Sequence, residues 1–162
     1  EVADYAAPKN IDVSIELIQG TLINSIDDML KLFELVDRPN VYACVDVGTF
    51  YTTVKPRMPI KEAIRKLGDR IRVTHVKDEV GFPNIMQSQH VWFGAGFVDF
   101  REMAEALKEI GYKHYNSVEW EGFQVGGLYG VGDPSGISMT DFDRVAEEAK
   151  EYLEEFGWGK QG

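Results

Sequence analysis

The chain has 162 residues, enough to bury the core of one domain, and we predict a single domain over residues 1–162. Its apolar fraction of 44% and aromatic fraction of 12% exclude a disordered chain. A net charge of −10, without a stripe of lysines and arginines, argues against nucleic-acid binding because phosphates are held by cations. No apolar run reaches the ~20 residues of a membrane span. The single cysteine, Cys44, is typical of a reducing compartment, so we expect a cytoplasmic protein.

Strand-like and helix-like segments alternate four times along the chain. Alternating or continuous apolar residues predict strands at 11–18, 41–47, 71–76 and 115–120. Helical periodicity and capping residues predict helices at 27–36, 60–67, 99–110 and 140–156. Two long connections follow the last two strands, and we predict them to be loops, at 77–98 and 122–138.

Helices between successive strands imply parallel strand pairing with right-handed crossovers. Two architectures satisfy this α/β pattern: an open, doubly wound sheet, or part of a (β/α)8 barrel. No Gly-x-Gly-x-x-Gly motif follows the first strand, which weakens a dinucleotide-binding interpretation. Both architectures place functional groups at the carboxyl ends of the strands, so candidate site residues are expected there.

Each predicted strand carries one potential metal ligand near its carboxyl end. These residues are Glu16, Asp46, His75 and Glu119. Side chains alternate between the faces of a strand, and each candidate lies opposite residues suited to packing against helices, so all four point toward a common centre. Three converging carboxylates repel one another unless a cation joins them. Three oxygens and one nitrogen suit Mn2+, Mg2+, Co2+ or Zn2+, and we predict one divalent metal ion held by these four side chains.

Four short motifs carry a resemblance to a known family. They are Val-Asp-Val-Gly at 45–48, His-Val-Lys-Asp at 75–78, Gly-Ala-Gly at 94–96 before Val98-Asp99-Phe100, and Ser-Val-Glu at 117–119. Together they resemble the xylose-isomerase-like superfamily of sugar isomerases and epimerases. The resemblance implies a parallel (β/α)4 half of a TIM barrel, containing strands five to eight of the parent fold. It also implies a metal held by Glu16, Asp46, His75 and Glu119, with the two glutamates as catalytic acid and base on opposite faces of the substrate carbon. Among the four candidate metals we expect Mn2+.

The chain departs from the superfamily pattern at two positions. Thr49 stands where many relatives have a histidine that touches substrate or a second metal. Ser88 stands where the endonuclease IV branch, which uses three zinc ions, has an aspartate two residues before the position matched by His90. These two missing ligands and the acidic charge argue together against DNA repair.

Four residues near the same end of the strands are candidates for binding the substrate: Lys77, His90, Thr49 and Trp120. Lys77 shares a face with His75 and could bond a substrate oxygen, although a salt bridge to a nearby acid is an equal alternative. His90 could face the substrate or be a surface loop histidine. Trp120 could form a wall of the pocket or simply contribute to packing.

The function that these residues imply is a metal-dependent isomerase or epimerase of a sugar or sugar-like polyol. The proton next to the substrate carbonyl would be removed by one glutamate and returned by the other, through an enediolate. A lyase or dehydratase shares this first step, so an enzyme of the inosose dehydratase type, or a subunit that cleaves carbon-linked glycosides, is the main alternative. A non-catalytic half-barrel that serves in binding or assembly is the alternative of another class.

Four strands fall short of the eight that close a barrel, so we expect a partner. The two edge strands would be open, and inner residues such as Cys44 and Val73 would be exposed to water. We expect either a chain that carries the N-terminal half-barrel or a second copy of this chain, and therefore an oligomer.

Overall fold

The computed structural model describes residues 1–18, 21–48, 58–82, 87–119 and 139–158 of the chain. Within these ranges the chain forms helices and strands in an alternating order, with short 3-10 turns at Ala7–Lys9 and Gly68–Arg70. In chain order the elements are α1 (Val2–Ala6), β1 (Val13–Glu16), α2 (Ile26–Val36), β2 (Val41–Asp46), α3 (Ile60–Leu67), β3 (Ile71–Val76), β4 (Asp78–Phe82), β5 (Gln87–Val91), α4 (Phe100–Glu109), β6 (Asn116–Val118) and α5 (Met139–Glu154).

Strands β1, β2, β3 and β6 form one parallel sheet in the order β1-β2-β3-β6, which confirms the predicted parallel α/β architecture. Glu16 is paired with Cys44, Asp46 with His75, and His75 with Ser117. This register aligns the carboxyl ends of the strands at one edge of the sheet.

The helices pack their apolar faces on the sheet, and local capping explains where two of them begin. The Ser25 hydroxyl accepts a hydrogen bond from the backbone N–H of Asp28, and the Asp99 carboxylate accepts one from the N–H of Glu102. The resulting core contains buried residues from the sheet and from α2, α3 and α4, among them Val45, Met29, Phe33, Ile64 and Met103.

The first and last strands of the sheet are shorter than predicted. The first was expected at 11–18 and spans Val13–Glu16, and the last was expected at 115–120 and includes only Asn116–Val118. Strand length depends on the neighbouring strand as well as on local composition, since a ladder ends where its partner departs. Each of these strands has a neighbour on one side only among the described residues.

The expected loop at 77–98 is wrong over residues 78–82 and 87–91, because β4 and β5 form an antiparallel hairpin there. Glu79 lies directly opposite His90 in this pairing. His90 is 2% exposed, so its interpretation as a surface loop histidine is also wrong. The prediction that Cys44 would be wet fails as well, since Cys44 is buried within the single chain. In the described part of the chain, every helix is too short or too polar to span a membrane.

Candidate metal centre

The four predicted metal ligands come together at the carboxyl edge of the parallel sheet. Glu16 and Asp46 are the last residues of β1 and β2, His75 is the penultimate residue of β3, and Glu119 directly follows β6. One potential ligand atom from each of these side chains lies within 4.8 Å of those of the other three. The predicted convergence is therefore confirmed, and it follows from the alternation of side chains on strands that end at the same edge.

The dimensions and chemistry of this cluster fit a divalent cation. Two ligands on opposite sides of an ion with bonds of ~2.2 Å are ~4.4 Å apart, which is compatible with ligand atoms that all lie within 4.8 Å of one another. The donors are three carboxylates and one imidazole, a set suited to hard or borderline metals. Asp46 is almost completely buried, so its carboxylate cannot rely on water to disperse its charge.

His75 links the two glutamates of the cluster. Its Nδ1 atom lies 3.0 Å from Oε1 of Glu16 and 3.5 Å from Oε2 of Glu119. Contact with Cys44 and with Glu119 outweighs the effect of burial and raises the pKa of His75 to about 11. The hydrogen bond from His75, assisted by Lys77 and opposed by burial, lowers the pKa of Glu119 to about 2. Glu119 is therefore ionised at neutral pH.

Lys77 is a buried cation between two of the candidate ligands. Its Nζ atom donates to Oδ2 of Asp46 at 2.7 Å and to Oε2 of Glu119 at 3.0 Å. Burial alone would lower the pKa of Lys77, but these two carboxylates reverse the shift and raise it. Burial raises the pKa of Asp46 to about 6, and Lys77 opposes that shift. The structure thus contains the salt bridge that was one interpretation of Lys77.

Sequence reasoning missed a second buried ion pair beside this cluster. Oε1 of Glu79 lies 3.2 Å from Nε2 of His90 and 3.8 Å from Nζ of Lys77. Glu79 and His90 are 3% and 2% exposed. The sequence contained one signal for this pair. If residues 78–82 are recognised as a strand, alternation places Glu79 on the same face as His75 and Lys77.

Sequence reasoning also missed that the glycine motif at 94–96 surrounds the carboxylate of Asp78.

 The carboxylate accepts hydrogen bonds from the backbone N–H groups of Glu79, Gly94, Gly96 and Val98 at 2.8–3.3 Å. A Cβ atom at Gly96 would collide with this carboxylate and would lie 2.7 Å from the backbone oxygen of Glu79. Burial raises the pKa of Asp78, although these four N–H groups oppose the shift. Asp78 therefore fastens segment 94–98 to β4, behind the face that carries Lys77.

Two of the predicted substrate-binding residues, Thr49 and Trp120, lie outside the described residues. The other two, Lys77 and His90, lie beside the four candidate ligands and are buried. Cys44 also borders the cluster, because its sulfur lies within 4.8 Å of ligand atoms of Glu16 and His75. Its position deeper on the face of Asp46 agrees with the expected alternation in β2.

A parallel sheet with crossover helices and a cluster of potential metal ligands at its carboxyl edge is the arrangement found in α/β barrels, which carry their functional groups at that edge. The sequence matches the family of xylose isomerase-like TIM barrels over residues 1–159, and the chain belongs to this family. The resemblance inferred from the four short motifs is thereby confirmed.

Curated relatives of the chain include sugar epimerases and isomerases. The chain is 27% identical over 122 residues to fructoselysine 3-epimerase of Shigella flexneri, a match that covers 74% of this chain and 42% of the relative. It is 28% identical over 123 residues to inosose isomerase of Bacillus subtilis, which covers 74% of this chain and 43% of the relative. These matches therefore span less than half the length of those two relatives.

Solved structures share the fold. D-Psicose 3-epimerase of Clostridium cellulolyticum, crystallised with D-tagatose, has a TM-score of 0.73 at 23% identity, over 96% of this chain and 52% of that chain. The IolI protein with a binding zinc atom has a TM-score of 0.74 at 21% identity, over 96% and 53%. A xylose isomerase-like TIM barrel protein of Mycobacterium smegmatis, in complex with magnesium, has a TM-score of 0.64 at 21% identity, over 96% and 47%.

Proposed function

We propose that residues 1–162 are the metal-binding half of a sugar or polyol isomerase or epimerase, and that they supply strands five to eight of its barrel. The observation that carries this proposal is the convergence of Glu16, Asp46, His75 and Glu119 within 4.8 Å. The activities of the curated relatives support the same reaction class. The share of the relatives that the chain covers supports the assignment to half of a barrel.

The four side chains would hold one divalent metal ion, and we propose Mn2+ as the ion bound in the active protein. Zinc and magnesium in two structural relatives support a divalent cation at this kind of site. Lys77 would keep one oxygen of Asp46 and one of Glu119 in place, leaving the second oxygen of each carboxylate for the metal. When bound, the metal would act as a Lewis acid that polarises the substrate carbonyl.

The two glutamates would move the proton. Glu16 ends β1 and Glu119 directly follows β6, and these are the two outer strands of the described sheet, so the two glutamates approach the centre of the site from opposite sides. Glu119 is ionised at neutral pH because its pKa is lowered, and it could accept the proton next to the substrate carbonyl. Glu16 would then deliver a proton to the opposite face of the same carbon, which inverts its configuration. Delivery to the former carbonyl carbon, with the adjacent hydroxyl proton moving to the former carbonyl oxygen, would instead shift the carbonyl.

Other side chains would orient the substrate. Lys77 and His90 border the four ligands, and an ammonium group can donate a hydrogen bond to a sugar oxygen while it remains paired with a carboxylate. Thr49 and Trp120 follow Asp46 and Glu119 in the sequence, so we propose that they line the entrance.

We further propose that four more strands complete the barrel. Strands β1 and β6 are at the two edges of the described sheet, and an open parallel sheet leaves backbone groups without partners. An apolar groove lies beside β1, and its lining includes Val2, Val13, Ile15, Leu32 and Val36. An N-terminal half-barrel would cover both edges and this groove. A second copy of the chain is the runner-up.

Metal analysis followed by proton exchange tests the proposed function. The protein, purified with any partner chain, should contain about one divalent ion per chain, as four convergent ligands predict. It should exchange the proton next to the carbonyl of ketoses or inososes in deuterated water, and Glu119→Gln should abolish this exchange while Glu147→Gln on α5 has no effect. Normal turnover of a metal-free preparation would reject the mechanism. A metal-bound protein that exchanges no proton would favour the non-catalytic half-barrel.

A further inference from the structure

Three polar side chains follow one another on the same face of the segment that runs from β3 into β4. Because successive side chains alternate between faces, His75, Lys77 and Glu79 point toward the candidate metal ligands and Asp78 points away. The contacts agree with this alternation, since Lys77 bonds Glu119 and lies 3.8 Å from Oε1 of Glu79. Glu79 therefore extends the row of polar groups beyond the metal ligands, toward the carboxyl end of the sheet.

The β4–β5 hairpin and the end of β2 enclose Glu79. His90 lies directly opposite Glu79 in the antiparallel pairing, and side chains in that relation share a face. Nε2 of His90 is 3.2 Å from Oε1 of Glu79. A Cβ atom at Gly48 would lie 2.7 Å from Cδ of Glu79. Since Gly48 comes two residues after Asp46, Glu79 lies next to the strand end that carries a candidate metal ligand.

One carboxylate oxygen of Glu79 has no hydrogen-bond partner among the described residues. The side chain of Glu79 is only 4% exposed, and its Oε2 atom is shielded from solvent without a donor. Its Oε1 atom faces His90 and Lys77. Buried polar atoms are rarely left unpaired, because the loss of water is then uncompensated. A donor from outside the chain would satisfy this oxygen.

We propose that Oε2 of Glu79 accepts a hydrogen bond from one hydroxyl group of the polyol substrate, at a carbon other than the one that loses its proton. This inference rests on the proposed function, because a sugar-like substrate supplies the donor. A neutral hydroxyl enters a buried site at a lower desolvation cost than a cation. His90 and Lys77 hold the other oxygen, so the carboxylate is oriented before the substrate arrives. Glu79 is thus a specificity-determining residue that recognises a hydroxyl and transfers no proton.

A thermodynamic cycle tests this role by combining removal of the Glu79 carboxylate with removal of one substrate hydroxyl. The protein, purified with its bound metal and any partner chain, is assayed for proton exchange with D-fructose, D-tagatose and an inosose, and with analogues that each lack one hydroxyl. Glu79→Met removes the acceptor at nearly constant length, and Glu147→Gln is the control. Loss of one particular hydroxyl should lower kcat/KM of the wild type about 10- to 100-fold, as expected for a hydrogen bond to a charged group. Loss of the same hydroxyl should lower kcat/KM of the Glu79→Met variant by less than about twofold, because that variant already lacks the hydrogen bond.

Calorimetric binding of the same sugars provides a second readout that does not depend on turnover. Binding without proton exchange would reject the proposed reaction, and the cycle would then be completed on Kd. If every analogue lowered kcat/KM, or affinity, equally in the wild type and in Glu79→Met, the inference would be overturned. Glu79 would then only hold Lys77 and His90 in position or bind water. If Glu79→Met does not fold, Glu79→Gln must show the reduced sensitivity to the same hydroxyl. Failure of all these sugars to bind the wild type would overturn both proposals.

Discussion

At the scale of single residues, the buried carboxylates differ in what they bond. Asp78 accepts four backbone N–H groups, so all of its bonds are to the chain itself. Asp46 is paired with the side chain of Lys77 and borders three other candidate ligands. The first arrangement supports the connection between β5 and α4, and the second leaves a carboxylate oxygen available for a metal. Substitutions at the two kinds of residue should therefore have different consequences.

Asp78→Asn should lower the free energy of unfolding by about 2–4 kcal/mol, because an amide replaces one acceptor oxygen with a donor that faces backbone N–H groups. Denaturant unfolding measures this change. Asp143→Asn, at an exposed position of α5, should change stability by less than about 0.5 kcal/mol. A similarly small effect for Asp78→Asn would show that the four N–H bonds contribute little to folding.

His75→Ala should weaken metal binding by at least about 100-fold while the fold is retained, because it removes one of four proposed ligands. The measurement is competition with a chromogenic chelator, accompanied by circular dichroism. His114→Ala is the matched control, since His114 precedes β6 at the other end of the sheet and contacts Arg72 and Tyr112. Equal metal affinity in His75→Ala and wild type would remove His75 from the site.

At the scale of secondary-structure elements, reciprocal side-chain bonds begin helix α2. The Ser25 hydroxyl accepts from the N–H of Asp28, and the Asp28 carboxylate accepts from the Ser25 hydroxyl and from the N–H of Asn24. Acidic residues in the first turn also suit the positive end of the helix. These bonds determine where the connection after β1 ends and the helix begins.

Ser25→Ala should destabilise the protein by about 1 kcal/mol, because the cap acceptor of α2 is lost. Ser25→Asn should keep most of the stability, since asparagine is an equally good cap. Thermal and denaturant unfolding of the three proteins would measure the difference. If the alanine and asparagine variants were equally stable, a side-chain acceptor at position 25 would contribute nothing to the stability of the protein.

At the scale of the whole molecule, the described sheet presents two open edges. Apolar side chains are exposed near both of them, including Ile11 and Ile18 beside β1 and Tyr115 and Val118 at β6. Cys44, in contrast, is covered within the single chain. A partner would therefore find more exposed apolar surface at the two edges of the sheet than at its polar centre.

The isolated chain at micromolar concentration should not sediment as a compact monomer of 18.3 kDa. Each large aliphatic side chain left exposed forfeits ~1.5–3 kcal/mol of burial, and open strand edges favour association. Addition of an N-terminal half-barrel should produce a defined complex and raise the unfolding temperature. A stable, cooperative monomer would contradict the proposed partner and would favour a self-contained open sheet.

The sequence alone determined the features that depend on local periodicity. Helix α3 and strand β3 have the predicted bounds, because their apolar spacing is regular and the glycine at 68 separates them. The convergence of Glu16, Asp46, His75 and Glu119 followed from the same regularity. Side-chain alternation orients each residue on its own strand, and parallel pairing brings the strand ends to one edge.

Only the tertiary structure decided which partners the remaining polar groups have. The Glu79–His90 pair depends on the register of the β4–β5 hairpin, and three of the four bonds of Asp78 join residues 16–20 positions apart. Lys77 could have paired with any of several acids, and the distances in the folded chain assign it to Asp46 and Glu119. Local propensity does not specify such contacts, because each depends on the position of a second segment that the first segment's own sequence does not encode.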